Sequence, residues 1–360
     1  MHPENRSSQA SSSQAELPGR PRRRWRMRLV VYGTLLGLLL GSGWYAMFFP
    51  GKSFSGPLPP LSPQERSYRE QMQRHLHVLA EQIGPRSTQE PQALERAARY
   101  LEEQLTAMGY RVQHQEFQAD GVSCRNLEVE RPGTTRPEQI VILGAHYDSV
   151  PGCPAANDNG SGVAALLALA WHFRPSRPQK TLRFVFFVNE EPPYFQTELM
   201  GSLRYARRCK QRNEQIVAML SLETMGYYRD EPGTQQYPPP FSLFYPSAGN
   251  FIGFVGNLGS RRLVARVVGA FRRHGRIPSE AAALPEMIAG VGWSDHWAFW
   301  QQGYPALMVT DTAPFRYPYY HTAQDTIDKV DLDRLARVVY GLQRVVEDLA
   351  GVAPPQEKPP

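Results

Sequence analysis

The sequence predicts an α/β fold of three layers, a largely parallel central β-sheet flanked by helices, preceded by one N-terminal transmembrane helix. Three observations carry that expectation. Residues 140–144, 182–188 and 217–222 are short, nearly continuous apolar runs, the pattern of strands covered on both faces. Helical stretches separate them, an Ala/Leu-rich one at 162–173 and another around 201–209. Strand, helix, strand, helix, strand implies parallel pairing through right-handed crossovers. The third observation is an uncharged run at 29–49 directly behind a cluster of arginines.

Taken in chain order, residues 1–28 read as a disordered basic tail that stays cytoplasmic. Arg20, Arg22, Arg23, Arg24, Arg26 and Arg28 account for the whole net charge of +6, so the basic character is a local topology signal rather than a nucleic-acid footprint. Residues 29–49 match the roughly 20 residues a helix needs to cross the hydrocarbon core. By the positive-inside rule this signal anchor leaves the rest of the chain on the exported side, the periplasmic face of the inner membrane in a bacterium. The lipid bilayer is then one expected partner. Residues 50–63, with Pro57, Pro59, Pro60 and Pro63, form a Pro/Gly linker, and residues 64–350 form the folded domain. Residues 351–360, ending in Pro359 and Pro360, form a disordered tail.

Within the domain, Leu94, Ala97, Leu101, Leu105 and Met108 recur at helical spacing before a glycine stop at Gly109. Residues 110–117 and 124–130 alternate as half-buried strands. Cys124, Cys153 and Cys209 are too few and too scattered for a disulfide framework or a CxxC metal site, and the pairing of any one disulfide stays open.

Chemistry gathers beyond the carboxyl ends of strands in such sheets. His146 stands just past the run ending at Gly144, Glu190 and Glu191 just past the one ending at Val188, and Glu223 just past the one ending at Leu222. Carboxylates held together repel and raise one another's pKa, so a cluster of imidazole and carboxylate implies a cation. Without thiolate, that donor set suits a catalytic zinc site.

The segments Gly144-Ala-His-Tyr-Asp-Ser149, Ala156-Asn-Asp-Asn-Gly-Ser-Gly162, Asn189-Glu-Glu191 and Tyr320-His-Thr322 resemble, in order and spacing over about residues 75–350, the M28 family of zinc peptidases, the aminopeptidase and glutamate-carboxypeptidase-like group. The resemblance implies the zinc-dependent exopeptidase type of fold, peptide substrates and two Zn2+ ions per chain. It implies Asp158 as a carboxylate bridging both ions, Glu191 and His321 completing one shell, and His146 and Glu223 the other. It leaves Glu190 as the general base that activates a water for attack at a peptide terminus, most simply as an aminopeptidase. Asp148 is expected to orient His146 through its second ring nitrogen. Ser294, Asp295 and His296 resemble a segment beside the family's substrate cleft, and Tyr228 is a further candidate there. Asp325 is expected to have a structural role near His321, as a helix cap. A cis peptide is implied at Asp158–Asn159.

The departure from the pattern is Glu223, where many relatives carry aspartate, and the second ion depends on it. Glutaminyl cyclases share the fold with a single zinc and are the enzymatic rival. A carboxypeptidase requires a cation for the substrate carboxylate, for which Arg183 and Arg316 are candidates, and a non-catalytic ectodomain is the rival of another class. Phe195, Tyr227, Tyr228, Trp293, Trp297, Phe299 and the 317–320 tyrosines are candidates for an apolar substrate pocket.

Overall fold

A computed structural model describes residues 22–352 of the chain. The helices are α1 (Arg22–Met47), α2 (Pro63–Leu76), α3 (Pro91–Ala107), α4 (Gly160–Phe173), α5 (Gly201–Gln211), α6 (Arg261–His274), α7 (His296–Trp300) and α8 (Leu332–Ala350). The strands are β1 (Gln113–Ala119), β2 (Val122–Arg131), β3 (Arg136–His146), β4 (Lys180–Phe187), β5 (Gln215–Glu223), β6 (Ile252–Asn257), β7 (Ser279–Leu284) and β8 (Ala306–Thr310). Two units divide the chain, residues 1–45 and residues 46–360.

In the first unit, α1 covers most of the expected span. Among the described residues, however, no helix is long and apolar enough to cross a membrane, so the structure supports a helix here but not the transmembrane element. Gly33, Thr34, Gly37, Gly41, Ser42 and Gly43 interrupt the apolar run, and the helix begins within the arginine cluster. Most of the expected basic tail and nearly all of the C-terminal tail lie outside the described residues.

In the second unit, the chain from Ser53 to Pro59 is tied down by backbone contacts: Ser53 Oγ accepts from Ser279 N, and Arg337 donates to Pro59 O. Helix α2 then starts on a capping box, with Ser62 and Glu65 each satisfying the other's backbone N–H and Pro63 at the first turn. The eight strands form one sheet in the order β1-β2-β4-β3-β5-β8-β6-β7. Side chains alternate across it as the two-sided burial of the apolar runs requires. Val141, Leu143 and Ala145 of β3 pack into one core with α2, α4, α6 and α8, while Ile140 and Ile142 pack into the other with α5 and α7. The three layers are therefore present.

The expectation of a largely parallel sheet needs correction, because the sheet is mixed. Parallel pairing holds for β4-β3-β5-β8 and for β6-β7. In contrast β1-β2, β2-β4 and β6-β8 are antiparallel. The apolar runs legible in the sequence are the parallel centre. The flank β1-β2 is a hairpin whose Asp120-Gly121 turn has both φ values positive, the geometry that two-residue hairpins favour.

Candidate metal and active site

Three neighbouring strands and two loops converge on one point. His146 ends β3, Glu223 ends β5, and Glu190 and Glu191 follow β4. Asp158 lies in the loop entering α4, behind a cis Asp158–Asn159 peptide. Asn159 caps α4 by accepting from Gly162 N, donates to Leu222 O and accepts from Thr224 N, which fastens this loop to the end of β5. A Cβ at Gly162 would stand 2.3 Å from Asn159 Oδ1 and 2.4 Å from Leu222 O, so only glycine permits the approach. His321 arrives from a loop after β8. Asp325 holds it there, accepting from Asn157 N at 2.8 Å, Asp158 N at 2.9 Å and the Tyr317 hydroxyl at 2.7 Å. It is thus a clamp between the His321 and Asp158 loops rather than a helix cap.

The distances are short. His146 Nε2 lies 3.3 Å from Glu223 Oε2, 3.6 Å from Asp158 Oδ1 and 3.7 Å from Glu190 Oε2. His321 Nε2 lies 3.0 Å from Asp158 Oδ2 and 3.1 Å from Glu191 Oε2. Yet His146 Nε2, Asp158 Oδ2, Glu191 Oε1 and His321 Nε2 are buried without any hydrogen-bond partner, a costly condition unless something else satisfies them. Donors about 2.0–2.2 Å from a tetrahedral zinc stand about 3.3 Å from one another, so the residues present fit the ion. Two groups meet the requirement with one shared member: His146, Asp158 and Glu223, and Asp158, Glu191 and His321. A third, His146, Glu190 and Glu191, would recruit Glu190 instead.

Electrostatics describe the same need for a cation. Burial, with the Asp158 charge beside it, pushes Glu191 up to about 8 against the pull of His321. Burial likewise lifts Glu190 well above the carboxylate range, opposed by His146 and reinforced by Glu223 and Glu191. For the rings, burial works against protonation, but Glu223 and Glu190 outweigh it at His146, and Asp158 and Glu191 raise His321 to about 10.

Comparison with known proteins decides the lineage. The model of Peptidase family M28 matches residues 126–346, which include every residue of this cluster. The chain belongs to peptidase family M28. It is 34% identical over 292 residues to the uncharacterized protein YfbL of Escherichia coli (strain K12), covering 79% of this chain and 88% of that protein. It is 27% identical over 218 residues to aminopeptidase YwaD of Bacillus subtilis (strain 168), covering 58% of this chain but only 41% of the relative. Among solved structures, the zinc aminopeptidase BSAP from Bacillus subtilis superposes with a TM-score of 0.63 at 15% identity, over 84% of this chain and 98% of that one. A Fimbriiglobus ruber glutaminyl cyclase superposes with a TM-score of 0.55 at 20% identity, over 83% and 98%. At those identities the likeness is one of fold, the mixed α/β sheet flanked by helices.

Around the M28 cluster, Asp148 stands beside His146, whose Nδ1 has no hydrogen-bond partner, and holds the neighbouring strand end instead. Its Oδ1 lies 3.5 Å from His146 Nδ1, and its two oxygens accept from the backbone N–H groups of Glu190 and Glu191, both at 3.2 Å. One carboxylate therefore couples the ends of β3 and β4. Ser294 donates to Glu223 Oε2 at 2.7 Å and exchanges a hydrogen bond with Ser221, so it orients that carboxylate. Asp295 is fully buried with neither oxygen hydrogen-bonded, and burial pushes it up to about 7 against the pull of His146.

Two candidates need correction. His296 is fully buried with Nε2 against Val291 O at 2.8 Å, and burial holds it near 4, which leaves it no access to substrate. The Tyr228 hydroxyl is committed to Met225 O, and its ring is buried under Arg316 and Arg334. Of the two candidate carboxylate receptors, Arg183 is committed, and Arg316 is buried and does not line the cavity, although its Nη2 has no hydrogen-bond partner. Arg183 is paired with Glu130 and Glu214, and Arg316 donates to Gln235, Tyr227 O and Phe251 O. Cys124, Cys153 and Cys209 are all buried free thiols.

Sequence reasoning offered Tyr320 only as a pocket residue, left most of the cavity wall unnamed and missed Arg86. Tyr320 stacks on His321 with ring centroids 3.8 Å apart, and after burial the Asp158, Glu191, Glu223 and Glu190 carboxylates hold its hydroxyl well above the usual phenol range. Arg86 is fully buried and laces the loops that bear Asp148 and Asp158. An apolar cavity with about 120 Å³ open to water opens beside Glu223 and Tyr320. Of the aromatic residues expected there, Trp293 and Tyr320 line it. Phe299 belongs to the core, and Tyr237, Tyr245, Phe251 and Phe315 supply most of the wall. The motif Tyr320-His-Thr322 marks Tyr320, but no local pattern marks Arg86 or the rest of the wall.

Proposed function

We propose that this chain is a zinc-dependent aminopeptidase that binds two ions and hydrolyses the first bond of peptides with a free N-terminus. The observation that carries the reading is the sharing of Asp158 between two buried donor groups, one ending on His146 and Glu223 and the other on Glu191 and His321. Glu223 reaches His146 at 3.3 Å, so its extra methylene does not hold it away from that group. Zinc held by these residues supplies Lewis acidity, lowering the pKa of water from 15.7 to roughly 7 and polarising a carbonyl oxygen.

The chain's own residues supply the rest. Glu190 takes the proton of the attacking water and returns it to the leaving amine. Asp148 holds Glu190 and Glu191 by their backbone N–H groups and stands beside His146, so that base and ligands keep one geometry. Tyr320, stacked on His321 and lining the adjacent cavity, offers a hydroxyl to the negative charge that develops on the carbonyl oxygen. No cation lines the adjacent cavity among the described residues, which favours an aminopeptidase over a carboxypeptidase.

The test uses the purified full chain and a panel of peptides. Expected are hydrolysis of free but not blocked N-termini, loss of activity on chelation, recovery with zinc, and two zinc ions per chain by elemental analysis. Cleavage of blocked peptides sinks the aminopeptidase reading, one ion per chain sinks the dinuclear one, and pyroglutamate formation in place of hydrolysis establishes the cyclase.

The location proposed, a single-pass protein with the domain on the exported side, rests on the order of the arginine cluster and the uncharged run at 29–49. Full-length chain should then sediment with membranes and become protease-sensitive when the outer face is opened. Recovery in the soluble fraction rules the anchor out.

A further inference from the structure

The cavity beside the cluster contains one charge that the proposed mechanism leaves unused. Glu223 pairs with Thr310 on β8, Thr310 with Gly253 on β6, and Gly253 with Glu280 on β7. Residues in register share a face of the sheet, so Glu223 and Glu280 project from one face at the two ends of a four-residue row. Three strand spacings separate them, about 14 Å. Gly253 contributes no side chain, which leaves the row open, and a Cβ there would stand 3.2 Å from Thr310 O and 3.5 Å from Thr312 Cγ2. All four residues line the cavity.

Every other polar group deep in this cavity is committed. The Tyr237 hydroxyl donates to Pro246 O and the Tyr245 hydroxyl to Ala281 O. Gln235 accepts from Arg316 and Thr312 and donates to Gln236 O. The nearby cation, Arg272, gives its donors to Ser279 and to the carbonyls of Phe49, Pro50 and Gly51. Beyond its place in the sheet ladder, the Glu280 carboxylate takes part in no hydrogen bond or ion pair among the described residues. Burial lifts its pKa while Arg272 pulls the other way, so its charged form gains from a further cation. Around it the walls are aromatic and aliphatic, as a methylene stem requires.

We infer that Glu280 is a specificity determinant, and that this cavity receives the side chain of an N-terminal lysine or arginine, aliphatic stem along the aromatic walls and charged end on the Glu280 carboxylate. A free N-terminal amine lies two bonds from the scissile carbonyl and stays at the cluster, whereas only a long side chain bridges towards the far end of the row. Norleucine, which has the stem but not the charge, fills the walls and leaves Glu280 unmatched.

This inference rests on the aminopeptidase reading, and the experiment separates the two. Full-length protein is assayed on matched dipeptides beginning with lysine, arginine, norleucine and glutamate. Expected for wild type is kcat/KM for lysine and arginine at least roughly tenfold above norleucine, with glutamate the poorest, as a charge-assisted hydrogen bond in a shielded site implies. Glu280→Gln lowers the lysine and arginine values roughly ten- to hundredfold, chiefly through KM, and leaves norleucine within about twofold, which also shows that the variant is folded. Equal wild-type rates for lysine and norleucine overturn the inference while the aminopeptidase reading stands, and so does an equal loss on both substrates in the variant. Should Glu280→Gln fail to fold, the wild-type comparison alone decides. Hydrolysis of none of the four removes the aminopeptidase reading and the cavity's role with it.

Discussion

Replacing Glu190 with glutamine lowers kcat by roughly 10²–10⁴-fold, the usual contribution of a positioned acid or base, and leaves metal content at the wild-type value. Glutamine keeps the length and the backbone N–H that donates to Asp148, but it can neither take nor return a proton. Glu190 is read as the base because it precedes the liganding Glu191 in the segment that resembles the family pattern; its carboxylate lies 3.7 Å from His146 Nε2, beside the ligand groups. Steady-state kinetics with elemental analysis on the same preparation check this. A parallel loss of zinc would move Glu190 into the ligand set, as the grouping with His146 and Glu191 allows, and the proton-transfer role would then fall to another residue.

Arg86→Ala destabilises the fold by roughly 3–5 kcal/mol, because buried polar groups stripped of partners each cost about 1–3 kcal/mol and the truncation leaves a cavity. The guanidinium is fully buried and donates to the carbonyls of Tyr147, Gly84, Leu79, Pro154 and Ala155. Its own backbone exchanges hydrogen bonds with Ser149. These contacts join the turn after α2 to the chain between His146 and Asp158, so their loss loosens both the Asp148 and the Asp158 loops. At roughly 2–4 °C per kcal/mol for a domain somewhat smaller than this one, Tm should fall by on the order of 10 °C, with weaker zinc retention. Lysine cannot restore this, since its compact ammonium lacks the planar fork that reaches carbonyls on several sides. Thermal unfolding measures the effect, and a Tm within about 2 °C of wild type would show that the five carbonyls find other donors.

These two residues divide along the line that separates local from non-local information. Glu190 was legible because it follows a run of apolar residues buried on both faces, and such a run ends where the sheet ends. His146, Glu191 and Glu223 were legible for the same reason, and Asp158 and His321 through the family pattern around them. Arg86 has no such neighbour. Three of its five carbonyl partners lie 61, 68 and 69 residues away at Tyr147, Pro154 and Ala155, and nothing in its local sequence distinguishes it from an exposed arginine. His296 and Tyr228 show the reverse error. Each sits in a segment of the right type, but the structure buries it and commits His296 Nε2 to Val291 O and the Tyr228 hydroxyl to Met225 O.

By itself, then, the sequence determined the parallel centre of the sheet, the order in which donor residues reach its carboxyl edge, and the family. These depend on periodicity and spacing over a few residues, which backbone geometry converts directly into position. Only the tertiary structure decided that the sheet is mixed, that Asp325 ties the His321 loop to Asp158 across 167 residues, and that β6 and β7 bring Glu280 into a row with Glu223. Those outcomes depend on which distant surfaces exclude water together, and that packing leaves no mark on any single stretch of chain.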